Sequence, residues 1–225
     1  MRFFYLRKIF DLHRTLRSNK YYGRIFNTDI YNLKADIYGC KSVLDLGCGP
    51  NSILKYCKNL SYSVGVEAFE PYVNISKCAG IHKEYISSDI MDVNFSDNSF
   101  DAVIMIDVVE HLTKDDAIKL IGRAHKWAKK KIVVMTPNGF QEQLEYDGNE
   151  NQIHKCGFSP DELRRMGFKV SGVGGVKLPY FRKNNKIKAY INYIIYFIAL
   201  STQIFIHNFP SISSGLYAVK LKNNK

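Results

Sequence analysis

A glycine turn set between a short apolar run and a helix start constrains this chain more than any other feature. Ser42-Val-Leu-Asp-Leu46 reads as a buried strand, and Gly47-Cys-Gly49-Pro-Asn51-Ser follows at once. The two glycines let the backbone turn sharply and approach a ligand closely. Further on, 63–67, 85–89, 100–107 and 131–136 read as strands, and helices are predicted over 52–60, 71–80 and 115–128. Strands alternating with helices make a parallel sheet with helices on both faces.

A chain of 225 residues suits one such domain with modest additions. Residues 137–157 form a polar loop. Ser159-Pro-Asp-Glu162 reads as a helix start, with Ser159 as N-cap, proline at N1 and Glu162 at N3. Two more strands are expected over 169–178 and 215–222. Residues 2–38 alternate aromatic and basic groups at helical spacing, which predicts one or two helices ahead of the sheet. The expected layout is a helical cap over 1–40 and an α/β domain over 41–225. Within that domain, 185–210 form a hydrophobic helical insertion before the last strand.

Charge and cysteine content bound the partners. Lys and Arg number 32 against 21 Asp and Glu, a net charge of +11. Residues 1–42 hold nine basic and three acidic side chains, and residues 151–225 hold twelve and two. The excess therefore sits in two arms around a mildly acidic middle, and an anionic partner is expected there. Cys40, Cys48, Cys57, Cys78 and Cys156 are odd in number and lack CxxC spacing. No disulfide framework and no metal site is predicted, and free thiols imply a reducing, cytoplasmic setting. The first eight residues lack the apolar core and cleavage site of a signal peptide.

In an open α/β sheet, ligands bind in the crevice at the carboxyl ends of the strands. Twenty residues beyond Gly47, at the end of the second strand, Glu67 can accept two hydrogen bonds from a ribose diol. The helix start after the turn adds oriented N–H groups. Together they predict a nucleoside-bearing cofactor. A dinucleotide fingerprint would place glycine at position 52, which is Ser here, and would avoid an acid at Asp45, facing pyrophosphate. A cationic ligand without phosphate suits Asp45 better. S-adenosylmethionine, with its sulfonium and α-amino group, is such a ligand.

Five stretches then occur in order: Val43-Leu-Asp-Leu-Gly-Cys-Gly-Pro50, Val64-Gly-Val-Glu67, Ser88-Asp89-Ile90, Phe100-Asp-Ala-Val-Ile-Met-Ile-Asp-Val-Val-Glu110-His111-Leu112 and Ile132-Val-Val-Met-Thr-Pro-Asn-Gly139. Over about residues 41–140 the chain resembles the class I S-adenosylmethionine-dependent methyltransferases. Glu-His-Leu after strand four and Thr-Pro-Asn after strand five resemble the type 11 kind, which act on small molecules, lipids or sugars. The resemblance implies a Rossmann-like, doubly wound seven-stranded sheet, mostly parallel with an antiparallel last strand. To this it adds the N-terminal helical cap and the hydrophobic C-terminal helix.

The resemblance also implies roles. Asp45 would organise the turn and reach the methionine amino group, and Gly47 and Gly49 would contact the methionine part. Glu67 would hold the ribose, with Glu70 as its competitor. Ala68 and Phe69 would line the adenine, and Asp89 and Ile90 would bind its amine and ring. Asp89 has a turn-capping role as its alternative. Asp107 and Val108 would lie beneath the cofactor near the sulfonium. Asn51 stands where the family usually has a third glycine, at a loop position where asparagine tolerates positive φ.

Methyl transfer is an in-line displacement at an already activated carbon, so the protein mainly supplies position and dry surroundings. A hydroxyl acceptor adds the need for a base. His111 is the first candidate, and His154, in the loop after strand five, is the second; Tyr146 and Asp147 share that loop as substrate-facing residues. The expected acceptor is a small molecule or lipid-like compound, with methylation at oxygen. No Asp, Glu, Lys or Arg occurs from Ala189 to Val219, and Arg182, Lys183, Lys186 and Lys188 precede that run. Residues 182–209 are therefore expected either to pack on the domain, with self-association into a homo-oligomer, or to contact a membrane surface. A full span would strand the last strand on the wrong side. The rival readings are an RNA methyltransferase using the basic arms and a non-catalytic S-adenosylmethionine-binding adaptor. Thr136-Pro-Asn138 is not the motif of amino-methylating nucleic-acid enzymes, so nucleic acid is the less favoured partner.

Overall fold

The computed structural model describes residues 19–26, 28–145, 147–179, 191–192, 194–195, 198–199 and 201–222. Residues 1–18 of the expected helical cap, Tyr146 and the basic cluster at 182–188 lie outside them. The strands are β1 (Ser42–Leu46), β2 (Tyr62–Glu67), β3 (Glu84–Ser87), β4 (Phe100–Ile106), β5 (Ala128–Pro137), β6 (Lys169–Val176) and β7 (Ser213–Leu221). They form one sheet in the order β3-β2-β1-β4-β5-β7-β6. β1 to β5 pair in parallel, while β7 runs antiparallel between β5 and β6. This is the doubly wound arrangement expected, with the order reversing between β1 and β4.

The central strands are apolar on both sides because both faces are covered. In β4, Val103 and Met105 face one core with Trp127, the last residue of helix α4 (Lys114–Trp127). Ala102 and Ile104 face the other, which includes Leu33 of helix α2 (Asp29–Asp36). Helix α1 (Lys20–Phe26) precedes α2, and α3 (Glu70–Cys78) links β2 to β3. The Tyr217 hydroxyl of β7 donates to Asp36 at 3.0 Å, tying α2 to the sheet.

One expectation needs correction. The helix predicted over 52–60 is a single 3-10 turn, Ile53–Tyr56; Cys57 is extended, and Asn59 at φ 73° turns the chain into β2. Among the described residues of the hydrophobic C-terminal segment, several apolar side chains stay exposed, as the surface-contact alternative expects. Helical residues occur at 191–192, 194–195, 198–199 and 201, followed by α6 (Gln203–Ile206). Asn192, Ala199, Gln203 and Ile206 point inward, whereas Ile191, Ile194, Ile198, Ile204 and Phe205 are exposed. The cause is edge strand β6, whose register breaks between Val173 and Val176 and leaves backbone groups unpaired. Gln203 accepts from Gly175 N–H at 2.7 Å and donates to the Gly172 carbonyl at 3.0 Å. Thr202 accepts from Val176 N–H at 2.9 Å. Polar side chains face inward because the sheet edge needs partners.

Helix α5 (Pro160–Arg165) starts in the capping box read from the sequence. Ser159 N–H donates to Glu162 at 2.7 Å, Glu162 N–H donates back to the Ser159 hydroxyl at 3.3 Å, and Lys114 lies 2.8 Å from the Glu162 carboxylate. Those partners, Lys114 first, pull the Glu162 pKa down to about 2. Glu162→Gln should cost about 1 kcal/mol of unfolding free energy at neutral pH. Because the folded-state pKa is depressed, the gap from wild type is full above the ordinary 4.5 and closes as pH falls towards about 2. Urea unfolding of both proteins across that range checks this.

Candidate functional site

The site lies at the carboxyl ends of β1, β2, β4 and β5, where the strand order reverses. Gly47 and Gly49 adopt φ of 65° and 56°. A Cβ on Gly47 would sit 2.7 Å from Val108 Cγ2, so β1 and the end of β4 approach as closely as they do only because position 47 is glycine. A Cβ on Gly49 would meet nothing within 4 Å, so the turn opens onto free space. Asn51 is not at positive φ, and its carboxamide accepts from the Lys55 ammonium.

The carboxylates differ in what they do. Asp45 is only 1% exposed, and its Oδ2 takes two bonds: the Ser52 hydroxyl donates at 2.6 Å and His82 Nε2 lies at 2.9 Å. It braces the turn from beneath. Glu67 is half-buried at the cleft; it accepts Gly49 N–H at 3.0 Å and Phe69 N–H at 2.9 Å. Burial pushes its pKa up, and those N–H groups oppose the shift. Each carboxylate oxygen still has a lone pair for a ribose hydroxyl. Ala68 is exposed, and Phe69 stacks edge-on against Tyr72 at 4.9 Å. Glu70 opens α3 and is exposed. Asp89 lies past the end of β3 and accepts Met91 N–H at 2.8 Å, a turn cap; Ile90 packs against the core.

The other half of the site is the end of β4. Asp107 is exposed at φ 54°, its N–H bonded to the Met135 carbonyl at 2.9 Å. Val108 is buried against Gly47. Val109–His111 form a 3-10 turn, and the loop after β5 is stitched onto it. The Glu110 carbonyl accepts N–H groups from Lys155 at 2.8 Å and Cys156 at 3.1 Å, and the Cys156 thiol donates to the Val109 carbonyl at 3.2 Å. Gly157 passes Phe140 so closely that a Cβ would lie 2.2 Å from its nitrogen. This crossing brings His154 beside His111, with ring centroids 4.8 Å apart. The two candidate bases, remote in sequence, are therefore neighbours. Burial, then the His154 charge, lowers the His111 pKa.

Beyond Asp107 a cavity of about 330 Å³ opens, lined by Phe26, Asp107, Met135, Val173, Ala199 and Gln203 among others. The N-terminal helices and the C-terminal helical segment thus form its walls. Asp147 accepts from the Tyr72 hydroxyl at 3.2 Å, which places it over α3. Residues that the sequence reading missed are Ser52, Tyr72, His82 and Glu110. Ser52 was visible as the break in the dinucleotide pattern, and Glu110 lies inside the Glu-His-Leu run. Nothing in the sequence relates His82 to Asp45.

Residues 44–134 match the family described as methyltransferase domain. An uncharacterised protein of Methanocaldococcus jannaschii is 29% identical over 128 residues, 57% of this chain. The chain spans about half of that relative, 55% of its length. Among solved structures, an S-adenosylmethionine-dependent methyltransferase from Archaeoglobus fulgidus aligns over 89% of this chain and 98% of its own, with 21% identity and a TM-score of 0.54. The plantazolicin methyltransferase BpumL, solved with S-adenosylhomocysteine, covers 97% and 90%, with 16% identity and a TM-score of 0.53. The small RNA methyltransferase HEN1 covers 87% of this chain and 25% of its own, at 15% identity and a TM-score of 0.55. At these identities the structures establish the fold. The family match covers residues 44–134 of the 225, and the chain is similar in fold to methyltransferases whose cofactor is S-adenosylmethionine.

The residues present fit that cofactor. Gly49 opens onto empty space, Glu67 offers its carboxylate at the second strand end, and no basic side chain lies in the turn to meet a phosphate. When bound, S-adenosylmethionine supplies an activated methyl group. Gly47 and Gly49 would pass along it, Glu67 would hold the ribose, and Asp45 would fix the turn. Glu67→Ala should weaken S-adenosylmethionine binding at least about tenfold, since bonds to a charged group contribute about 1.5–3 kcal/mol. Calorimetric titration of both proteins, with NAD as the control ligand, checks this.

Proposed function

We propose that the protein transfers a methyl group to a hydroxyl oxygen of a small, lipid-like acceptor. The carrying observation is the cavity beyond Asp107, walled by a helical segment whose outer surface is isoleucine and phenylalanine. The cavity's volume of about 330 Å³ suits a small-molecule group. Its lining mixes Phe26, Met135, Val173 and Ala199 with a few polar groups. The exposed Ile191, Ile194 and Ile198 offer an apolar tail a surface on the same segment that lines the cavity through Ala199 and Gln203. The basic residues at 182–188 precede that face in sequence and supply attraction to anionic headgroups. Among the described residues no helix is long and apolar enough to cross a membrane.

The chemistry needs the acceptor proton removed as oxygen attacks carbon. Glu110, His111 and His154 are the groups gathered on that side, and His154 joins the cavity through its bond to the carbonyl of the lining residue Gln141. Val108, buried against Gly47, keeps water from the floor.

The test uses methyl-labelled S-adenosylmethionine with an alkylphenol dissolved in phosphatidylglycerol vesicles, and with bulk transfer RNA in parallel. Label should enter the phenol, and the protein should float with the vesicles. His111→Ala should retain cofactor binding and lose transfer by about a hundredfold or more. Label entering only RNA, or equal turnover by His111→Ala, would overturn the reading.

A further inference from the structure

We propose that Glu110, His111 and His154 bind a divalent cation beside the acceptor cavity. One ligand atom from each lies within 4.8 Å of the others. Two imidazoles and one carboxylate are a ligand set for first-row divalent cations and leave coordination positions open. Bound to such a cation, these atoms would sit about 3–3.5 Å apart, so side-chain rotations of roughly 1–2 Å close the site.

The surroundings are built for ligands. The His111 Nδ1 faces the Ile153 carbonyl at 3.3 Å, and the His154 Nδ1 faces the Gln141 carbonyl at 2.7 Å. A carbonyl accepts only an N–H, so each ring keeps its Nε2 lone pair free, as metal-bound histidines do. Glu110 is 2% exposed, and its Oε2 has no hydrogen-bond partner. A buried carboxylate oxygen with nothing to bind is costly, and a cation removes that cost. Asp107, whose charge acts on Glu110, adds negative potential.

The role of the cation in turnover rests on the methyl-transfer reading above; the site itself does not. The acceptor hydroxyl takes an open coordination position. Its O–H bond breaks, and the proton passes to solvent. The oxygen then forms a bond to the methyl carbon while the C–S bond breaks, releasing S-adenosylhomocysteine as a neutral thioether. No oxidant or reductant is needed.

Chelator-stripped protein is titrated with Mn²⁺ alone, and the free ion is counted by electron paramagnetic resonance. Mn²⁺ avoids thiols, so the exposed Cys78 does not contribute. Wild type should bind one equivalent. His154→Ala and Glu110→Gln should bind at least about tenfold more weakly, and S-adenosylmethionine should still bind to His154→Ala, which shows that the half-buried variant is folded. No uptake of Mn²⁺ or Zn²⁺ by wild type, or equal uptake by His154→Ala, overturns the site. If uptake fails while His111-dependent transfer to the alkylphenol persists, the cation falls and the methyl-transfer reading stands. If Mn²⁺ binds but no methyl moves, the site stands and that reading falls.

Discussion

The Glu110 carbonyl accepts two N–H groups, from Lys155 and Cys156, and the cleft is assembled around that crossing. One partner belongs to the turn after β4, the other to the loop after β5. Without the crossing, His154 would have no fixed relation to His111. The crossing has its own requirements. Gly157 must lack a Cβ to pass Phe140, and Cys156 is a buried thiol whose pKa burial pushes up, an inert bond donor to Val109 rather than a nucleophile. Lys114 completes the clamp by reaching the Gly157 carbonyl at 2.6 Å. Each bond is worth only about 1 kcal/mol, yet together they oppose the freedom of a loop of some twenty residues.

The same reasoning explains the C-terminal segment. A sheet edge with a broken register must find donors and acceptors, and Gln203 and Thr202 supply them. Once the polar face of the segment is committed to the strand, Ile191, Ile194, Ile198 and Ile204 are left outward. The apolar exterior is thus a consequence of satisfying backbone groups, and the protein turns it to use only if an apolar partner covers it.

Most of the sheet was legible because its signals are local. Alternating strands and helices, the Gly47–Gly49 turn and the Ser159–Glu162 box each depend on neighbouring residues. Glu67 was legible for the same reason, since its place at a strand end follows from β2 itself. What was not legible depends on contacts between distant residues. The pairing of His82 with Asp45 spans 37 positions, and that of His111 with His154 spans 43. The helix expected over 52–60 failed because Ser52 spends its hydroxyl on Asp45 and on Leu54 N–H, and Asn59 reverses the chain early. The segment after Ala189 left two alternatives open for a subtler reason. Hydropathy weighs side chains, whereas its orientation was decided by backbone groups of β6.

Glu110 shows why such a departure from local rules is informative. Its carboxylate is 2% exposed with an unpartnered oxygen, whereas the equally buried Asp45 has the Ser52 hydroxyl and His82 on its carboxylate. Replacing it with an apolar residue would relieve about 1–3 kcal/mol of desolvation. Its backbone carbonyl already does the structural work of holding the loop, and any residue at that position would offer the same carbonyl. The carboxylate therefore adds nothing to the crossing that the main chain does not provide. What it adds is an acid whose pKa burial pushes up to about 8, held beside two imidazoles at the end of β4, and that is a chemical rather than an architectural reason for it to be there.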